Sequence, residues 1–97
     1  MSRQEVLSTL QAQRAALHDR FGVARLLLFG SVARDEAGHG SDVDLLVEFD
    51  KPVGLFSFLE LQEHLEALLG CGVDLGTPNS LKPRLRDRVM TEAVHVI

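Results

Sequence analysis

Val6, Leu7, Leu10, Leu17 and Phe21 recur at helical spacing, and Ser2 with Glu5 three residues later forms a capping-box signature ahead of them. The pattern predicts a core-facing helix that opens at Ser2 and that Gly22 ends. From there the period shortens. Val23 to Phe29 reads as a buried strand, Ser31 to Glu36 as the opening of a short helix, and Ser41-Asp42-Val43-Asp44-Leu45-Leu46-Val47-Glu48-Phe49 as a second strand. Asp50-Lys51-Pro52-Val53-Gly54 is a turn. It leads to a helix from Leu55 to Leu69, with Leu55, Phe58, Leu59, Leu65, Leu68 and Leu69 at helical spacing and Gly70 as its stop. Cys71 to Gly76 is a short third strand. Thr77-Pro78-Asn79-Ser80 is turn chemistry before a helix through about Glu92, where Leu81, Leu85 and Val89 repeat every four residues and Pro83 fits the first turn. Val94 to Ile97 can add a final strand. This order predicts an α/β fold, a small mixed β-sheet flanked by helices, as a single domain over residues 1–97 without repeats or low-complexity linkers.

The chemistry sits where the first two strands meet. Gly30-Ser31, then ten residues, then Asp42-Val43-Asp44 places a tight turn and helix start, whose free backbone N–H groups face an anion, beside two carboxylates. Side chains alternate along a strand, so Asp42 and Asp44 share one face with Leu46 and Glu48, while Val43, Leu45, Val47 and Phe49 take the other. A solvated strand face would explain Glu48. It is also the alternative reading of the two aspartates; against it, Asp is depleted in strands and Leu46 on the same face implies partial burial. Two carboxylates about 5 Å apart repel by roughly 3 kcal/mol at an effective dielectric of about 20, and a hard divalent cation such as Mg²⁺ offsets that repulsion. Asp74, at the middle of the third strand, joins the same cluster if that strand pairs beside the second. Three such acids are what a two-ion phosphoryl-transfer site requires.

Composition narrows the partners. The net charge of −4 and isoelectric point near 5.4 argue against a nucleic-acid acceptor, which calls for a basic face. The longest apolar runs are about half a dozen residues, far below a membrane span, and no signal peptide is expected, so the expectation is a soluble, cytoplasmic protein. The lone Cys71 reads as a packed thiol, and His18, His39, His64 and His95 lack the spacing of a zinc site. Lys82, Arg84, Arg86 and Arg88 read first as the solvated face of the last helix. Lys82 and Arg86, four apart, also share a face that can meet an acidic partner or a phosphate.

Leu28-Phe29-Gly30-Ser31-Val32-Ala33-Arg34, followed by Ser41-Asp42-Val43-Asp44-Leu45-Leu46-Val47, closely resembles the minimal nucleotidyltransferase (MNT) branch of the DNA-polymerase-β-like superfamily. The likeness covers nearly the whole chain. It implies a polymerase-β palm-like fold in which Asp42, Asp44 and Asp74 ligate two Mg²⁺ ions, with Asp74 also helping to deprotonate the attacking hydroxyl. Gly30 would give close backbone approach to the triphosphate, Ser31 a hydroxyl and an N–H to its terminal phosphates, and Arg34 a partner for phosphate or for Asp35 or Glu36. The loop from Asp35 to Gly40 is more acidic than a triphosphate site calls for.

The resemblance further implies AMP transfer from ATP, or another NTP, to a hydroxyl. Members of the family are commonly antitoxins of HEPN-domain toxins, which points to a tyrosine of a HEPN partner as acceptor, as in a type VII toxin–antitoxin system. With no second domain to hold a small acceptor, a protein acceptor is expected. Two alternatives stand beside this reading: a non-catalytic antitoxin that masks its partner, and an antibiotic adenylyltransferase subunit. An apolar helix face left after core packing makes homo- or hetero-association an expectation as well.

Overall fold

Four strands, β1 (Val23–Phe29), β2 (Val43–Phe49), β3 (Val73–Gly76) and β4 (Val94–His95), form one sheet in the order β3-β2-β1-β4. The structure is a computed structural model and describes residues 1–36 and 42–97. Ser41, expected at the start of the second strand, and His39 lie outside the described residues. β1 runs antiparallel to both β2 and β4, and β3 runs parallel to β2, so the sheet is mixed as the sequence predicts. A parallel pair needs a crossover, and helix α4 (Leu55–Leu69) supplies it between β2 and β3.

The helices bury one face of the sheet. Val6 and Leu10 of α1 (Arg3–Ala12), Leu17 of α2 (Arg14–Phe21), and Leu61, Leu65 and Leu69 of α4 form one cluster with Leu26, Leu28, Val43, Leu45, Val47, Val73 and Leu75 from the strands. The opposite face carries Leu27 and Leu46, which are register partners, buried but outside that cluster. Alternation puts Phe29, Asp44, Glu48 and Asp74 on this second face as well. Acidic and apolar residues therefore share it.

Several boundaries differ from the sequence pattern. The first helix is two, because the Gln13 N–H bonds to the Leu10 carbonyl three residues back, at 3.0 Å, and the chain turns there before α2 begins. The capping box at Ser2 and Glu5 is present, and Gly22 ends α2 in the left-handed conformation. After β3, Pro78–Ser80 forms a separate 3₁₀ turn, and the last helix, α5 (Pro83–Glu92), starts later than expected, with Pro83 in its first turn. α5 buries no residue, so the Leu81, Leu85 and Val89 stripe is not core; Leu85 is exposed. In α4, Leu61 is buried while Leu55 and Leu59 point to solvent. The inward face is rotated from the one the leucine spacing suggests.

Candidate active site

Strand register brings the acids together. Asp44 of β2 stands directly opposite Asp74 of β3 in the parallel ladder. Burial first, then the neighbouring Asp74 and Asp42 carboxylates, holds the Asp44 carboxyl above its ordinary value of 3.8. The Arg34 charge opposes this shift. Asp42 and Asp74 are exposed and Asp44 is half-buried. The cluster therefore lies at the rim of the sheet, open to a ligand.

Asp42 lies just ahead of the strand rather than within it. The Val43 N–H donates to the Gly72 carbonyl at 3.0 Å, which carries Asp42 alongside the start of β3. Its carboxylate then occupies the space a side chain at Gly72 would need: a Cβ there would stand 2.5 Å from Asp42 Oδ1.

The glycine-serine turn is the second wall. β1 ends at Phe29, the register partner of Asp44, and Gly30 follows with φ +76° at the head of the short helix α3 (Gly30–Ala33). Only glycine takes that φ without strain, and a Cβ would collide with the Asp44 carboxylate. Among the described residues no side chain caps the first N–H groups of α3. Ser31 is half-buried beside them. Arg34, which caps the end of α3, pairs through Nε with Glu36 at 3.1 Å, one of the two acidic neighbours expected for it. Arg3 ties this segment to α1, its Nη1 donating to the Ala33 carbonyl at 3.2 Å and its N–H to Asp35 Oδ1 at 3.3 Å.

Two supporting residues have no motif of their own. Gln62 Nε2 donates to the Val73 carbonyl at 3.0 Å, and the Val73 N–H donates to Glu66 Oε2 at 3.1 Å. β3 is an edge strand, so its outer backbone groups need partners, and these α4 side chains supply them immediately before Asp74. Their i, i+4 spacing is the only trace in the sequence. Arg25 and Glu48, register partners on the second face, form an ion pair at 2.7 Å. Glu48 therefore has a structural partner and stands apart from the acid cluster.

The acid cluster fits a divalent cation by donor chemistry: hard oxygens, neighbouring like charges, and one carboxyl pushed toward its neutral form by burial and then by those neighbours. Among the described residues no three His, Cys, Asp or Glu side chains already converge as a ligand set. A cavity of about 650 Å³, lined by Gln11, Arg14, His18 and Asp50 among others, lies at the opposite end of the sheet. Its two carboxylates, Asp19 and Asp50, both face the His18 imidazole, and no glycine-serine turn lines it, so chemistry rather than volume locates the site. Among the described residues no helix is long and apolar enough to cross a membrane.

Known proteins resemble this chain in sequence and fold. A family model described as a nucleotidyltransferase domain matches residues 10–96. Protein adenylyltransferase MntA of Thermococcus cleftensis is 45% identical over 96 residues, 99% of this chain and 97% of the relative. A solved minimal nucleotidyltransferase, 44% identical, matches with a TM-score of 0.75 over 97% of this chain and 95% of that one. The solved complex of a tri-AMPylated Shewanella oneidensis HEPN toxin with its MNT antitoxin matches at TM-score 0.65 and 21% identity, over 98% of this chain and 71% of that one, a likeness of fold.

Proposed function

The chain belongs to the nucleotidyltransferase domain family, and on that premise we propose that it transfers AMP from ATP to a tyrosine hydroxyl of a HEPN-domain toxin, silencing it as an antitoxin. The observation that carries this reading is the in-register Asp44–Asp74 pair set against the Gly30-Ser31 turn. The adenylyltransferase name of the relative from Thermococcus cleftensis and the AMPylated toxin in the Shewanella oneidensis complex support the choice of AMP and of acceptor.

In this reading Asp42, Asp44 and Asp74 hold Mg²⁺, two ions by the number of acids. The bound metal supplies charge stabilisation for the triphosphate and the departing pyrophosphate. Gly30 lets the backbone approach the triphosphate, and the uncapped N–H groups of α3 with the Ser31 hydroxyl hold its terminal oxygens. Arg34 exchanges Glu36 for a phosphate oxygen when nucleotide arrives. The acceptor oxygen attacks the α-phosphorus, the bond from that phosphorus to the bridging oxygen of the β-phosphate breaks, and the hydroxyl proton passes to the exposed Asp74 carboxylate. Most of the rate comes from alignment and electrostatics, which a chain of 97 residues has room to provide.

The test is mass spectrometry of a HEPN-domain protein encoded beside this chain's gene, after incubation with the chain, ATP and Mg²⁺. AMP additions on tyrosine that vanish in Asp42→Ala/Asp44→Ala support transfer. Unmodified partner that both wild type and variant still inhibit supports masking instead.

A further inference from the structure

We propose that Arg3 and Asp35 form a clasp that holds the glycine-serine turn in its nucleotide-ready shape, which makes both of them positioning residues for the triphosphate. The inference rests on the nucleotide-binding role given to that turn under the proposed function and adds what keeps the turn in place. α3 is four residues long, far too short to hold a helical shape by its own ladder. What fixes its far end therefore fixes Gly30 and Ser31 at its near end.

The carbonyls of α3 show how that end is fixed. Gly30 accepts from the Arg34 N–H at 3.2 Å, Val32 from the Asp35 N–H at 3.0 Å, and Ser31 from the Glu36 N–H at 2.8 Å. The last two bonds, with Asp35 at φ +59°, make a Schellman end, a position glycine usually fills. The remaining carbonyl, on the buried residue Ala33, accepts from Arg3 Nη1 at 3.2 Å, so α1 completes the set.

An aspartate in the left-handed conformation is tolerated rather than favoured, and the contact that its side chain makes explains why it stands there. Asp35 Oδ1 accepts from the Arg3 N–H at 3.3 Å. Arg3 is the first residue of α1, so this N–H is one of the donors that a helix start leaves without an intrahelical partner, and a carboxylate there also meets the positive end of the helix. Each helix end thus satisfies the other. α1 is itself anchored, with Val6 and Leu10 fully buried, so the clasp ties the turn to the core. It also accounts for the acidity of the loop after α3: Asp35 is engaged with α1 and Glu36 with Arg34, and both charges are occupied before a triphosphate arrives. Without the clasp, nucleotide would have to order the turn as it binds.

Calorimetric titration with a non-hydrolysable ATP analogue in Mg²⁺, paired with amide hydrogen exchange of the nucleotide-free protein, tests this in wild type, Arg3→Met, Asp35→Gly and Asp35→Asn. Arg3→Met keeps the stem and removes the donor. It should weaken nucleotide binding about tenfold, the scale of ordering a side chain or two at a binding site, and should speed exchange across residues 30–36. Asp35→Gly relieves the left-handed strain but cuts the link to α1, so it should melt close to wild type and still bind nucleotide less tightly, a split that a purely structural role does not produce. Asp35→Asn keeps an acceptor oxygen, tolerates the same backbone and should bind like wild type. Arg3→Met and Asp35→Gly variants that bind like wild type, or exchange over residues 30–36 that neither variant changes, would overturn the clasp. A wild type that binds no nucleotide overturns the reading of the site instead, and the exchange result still judges whether the clasp holds the turn.

Discussion

Asp44 and Asp74 face each other across the parallel β2–β3 ladder, so two carboxylates occupy a place where an ordinary sheet puts an apolar pair. The pair is held by register and by backbone contacts, and its repulsion is a cost the metal-free fold carries.

Removing that cost should stabilise the protein. Asp44 has its folded carboxyl raised above the unfolded value, so between 3.8 and the raised value the native state keeps a proton that the unfolded state has lost. Stability of the metal-free protein should fall as pH rises through that window and level off above it. Asp44→Asn should flatten this slope and raise stability at neutral pH, by less than about 1 kcal/mol because the group is partly solvated. Thermal melts in EDTA from pH 3.5 to 7 check both, and a variant less stable than wild type at neutral pH contradicts the account.

The two glycines against the acids should respond differently. At Gly30 a methyl group meets the Asp44 carboxylate and the backbone holds φ +76°, so Gly30→Ala should cost about 1–3 kcal/mol and abolish nucleotide binding. At Gly72 the clash is with the end of the exposed Asp42 side chain, which can turn away. Gly72→Ala should therefore unfold within about 0.5 kcal/mol of wild type, the range of surface changes that strain nothing else. Its Mg²⁺ affinity should still fall. Denaturant melts paired with calorimetric titration separate the two effects.

Glu66 positions Asp74 through the backbone of Val73. Glu66→Leu leaves the Val73 N–H without its acceptor and should cost about 1–2 kcal/mol, while Glu66→Gln keeps an acceptor oxygen and should restore most of it. If alignment of Asp74 is what Glu66 contributes, the leucine variant should also lose metal affinity and the glutamine variant should not.

A second pH response lies far from the site. A hydrogen bond to Asp50, then one to Asp19, raises the His18 imidazole above its ordinary 6.5. Its folded value exceeds the unfolded one, so the pair stabilises fully below 6.5 and that contribution disappears as pH rises through the folded value. Asp50→Asn should reduce this loss, which the difference in melting temperature between pH 6 and pH 8 reads directly. An unchanged difference contradicts it.

Much of this was legible in the residues. The capping box at Ser2, the buried run of β1, the Gly70 stop and the Asp-bearing third strand are local signals, and local signals survive folding. The break at Gln13 carries no glycine or proline, so nothing short-range marks it. Burial along α4 and α5 depends on how each helix is rotated against the sheet, which leucine spacing alone does not settle; hence Leu61 faces inward and Leu85 outward. Arg25–Glu48 and the Gln62 and Glu66 contacts with Val73 depend on register and on an edge strand's unpaired backbone, both tertiary facts.

The central claim is that the three aspartates and the glycine-serine turn hold a divalent ion and a triphosphate together. Isothermal titration of the protein with a non-hydrolysable ATP analogue, in Mg²⁺ and then in EDTA, measures it most directly. The account predicts binding that needs Mg²⁺ and that weakens by more than about tenfold in each of Asp42→Asn, Asp44→Asn and Asp74→Asn, the scale on which metal sites lose affinity when even a supporting side chain is removed. Equal binding in EDTA, or three variants that bind like wild type, would contradict it.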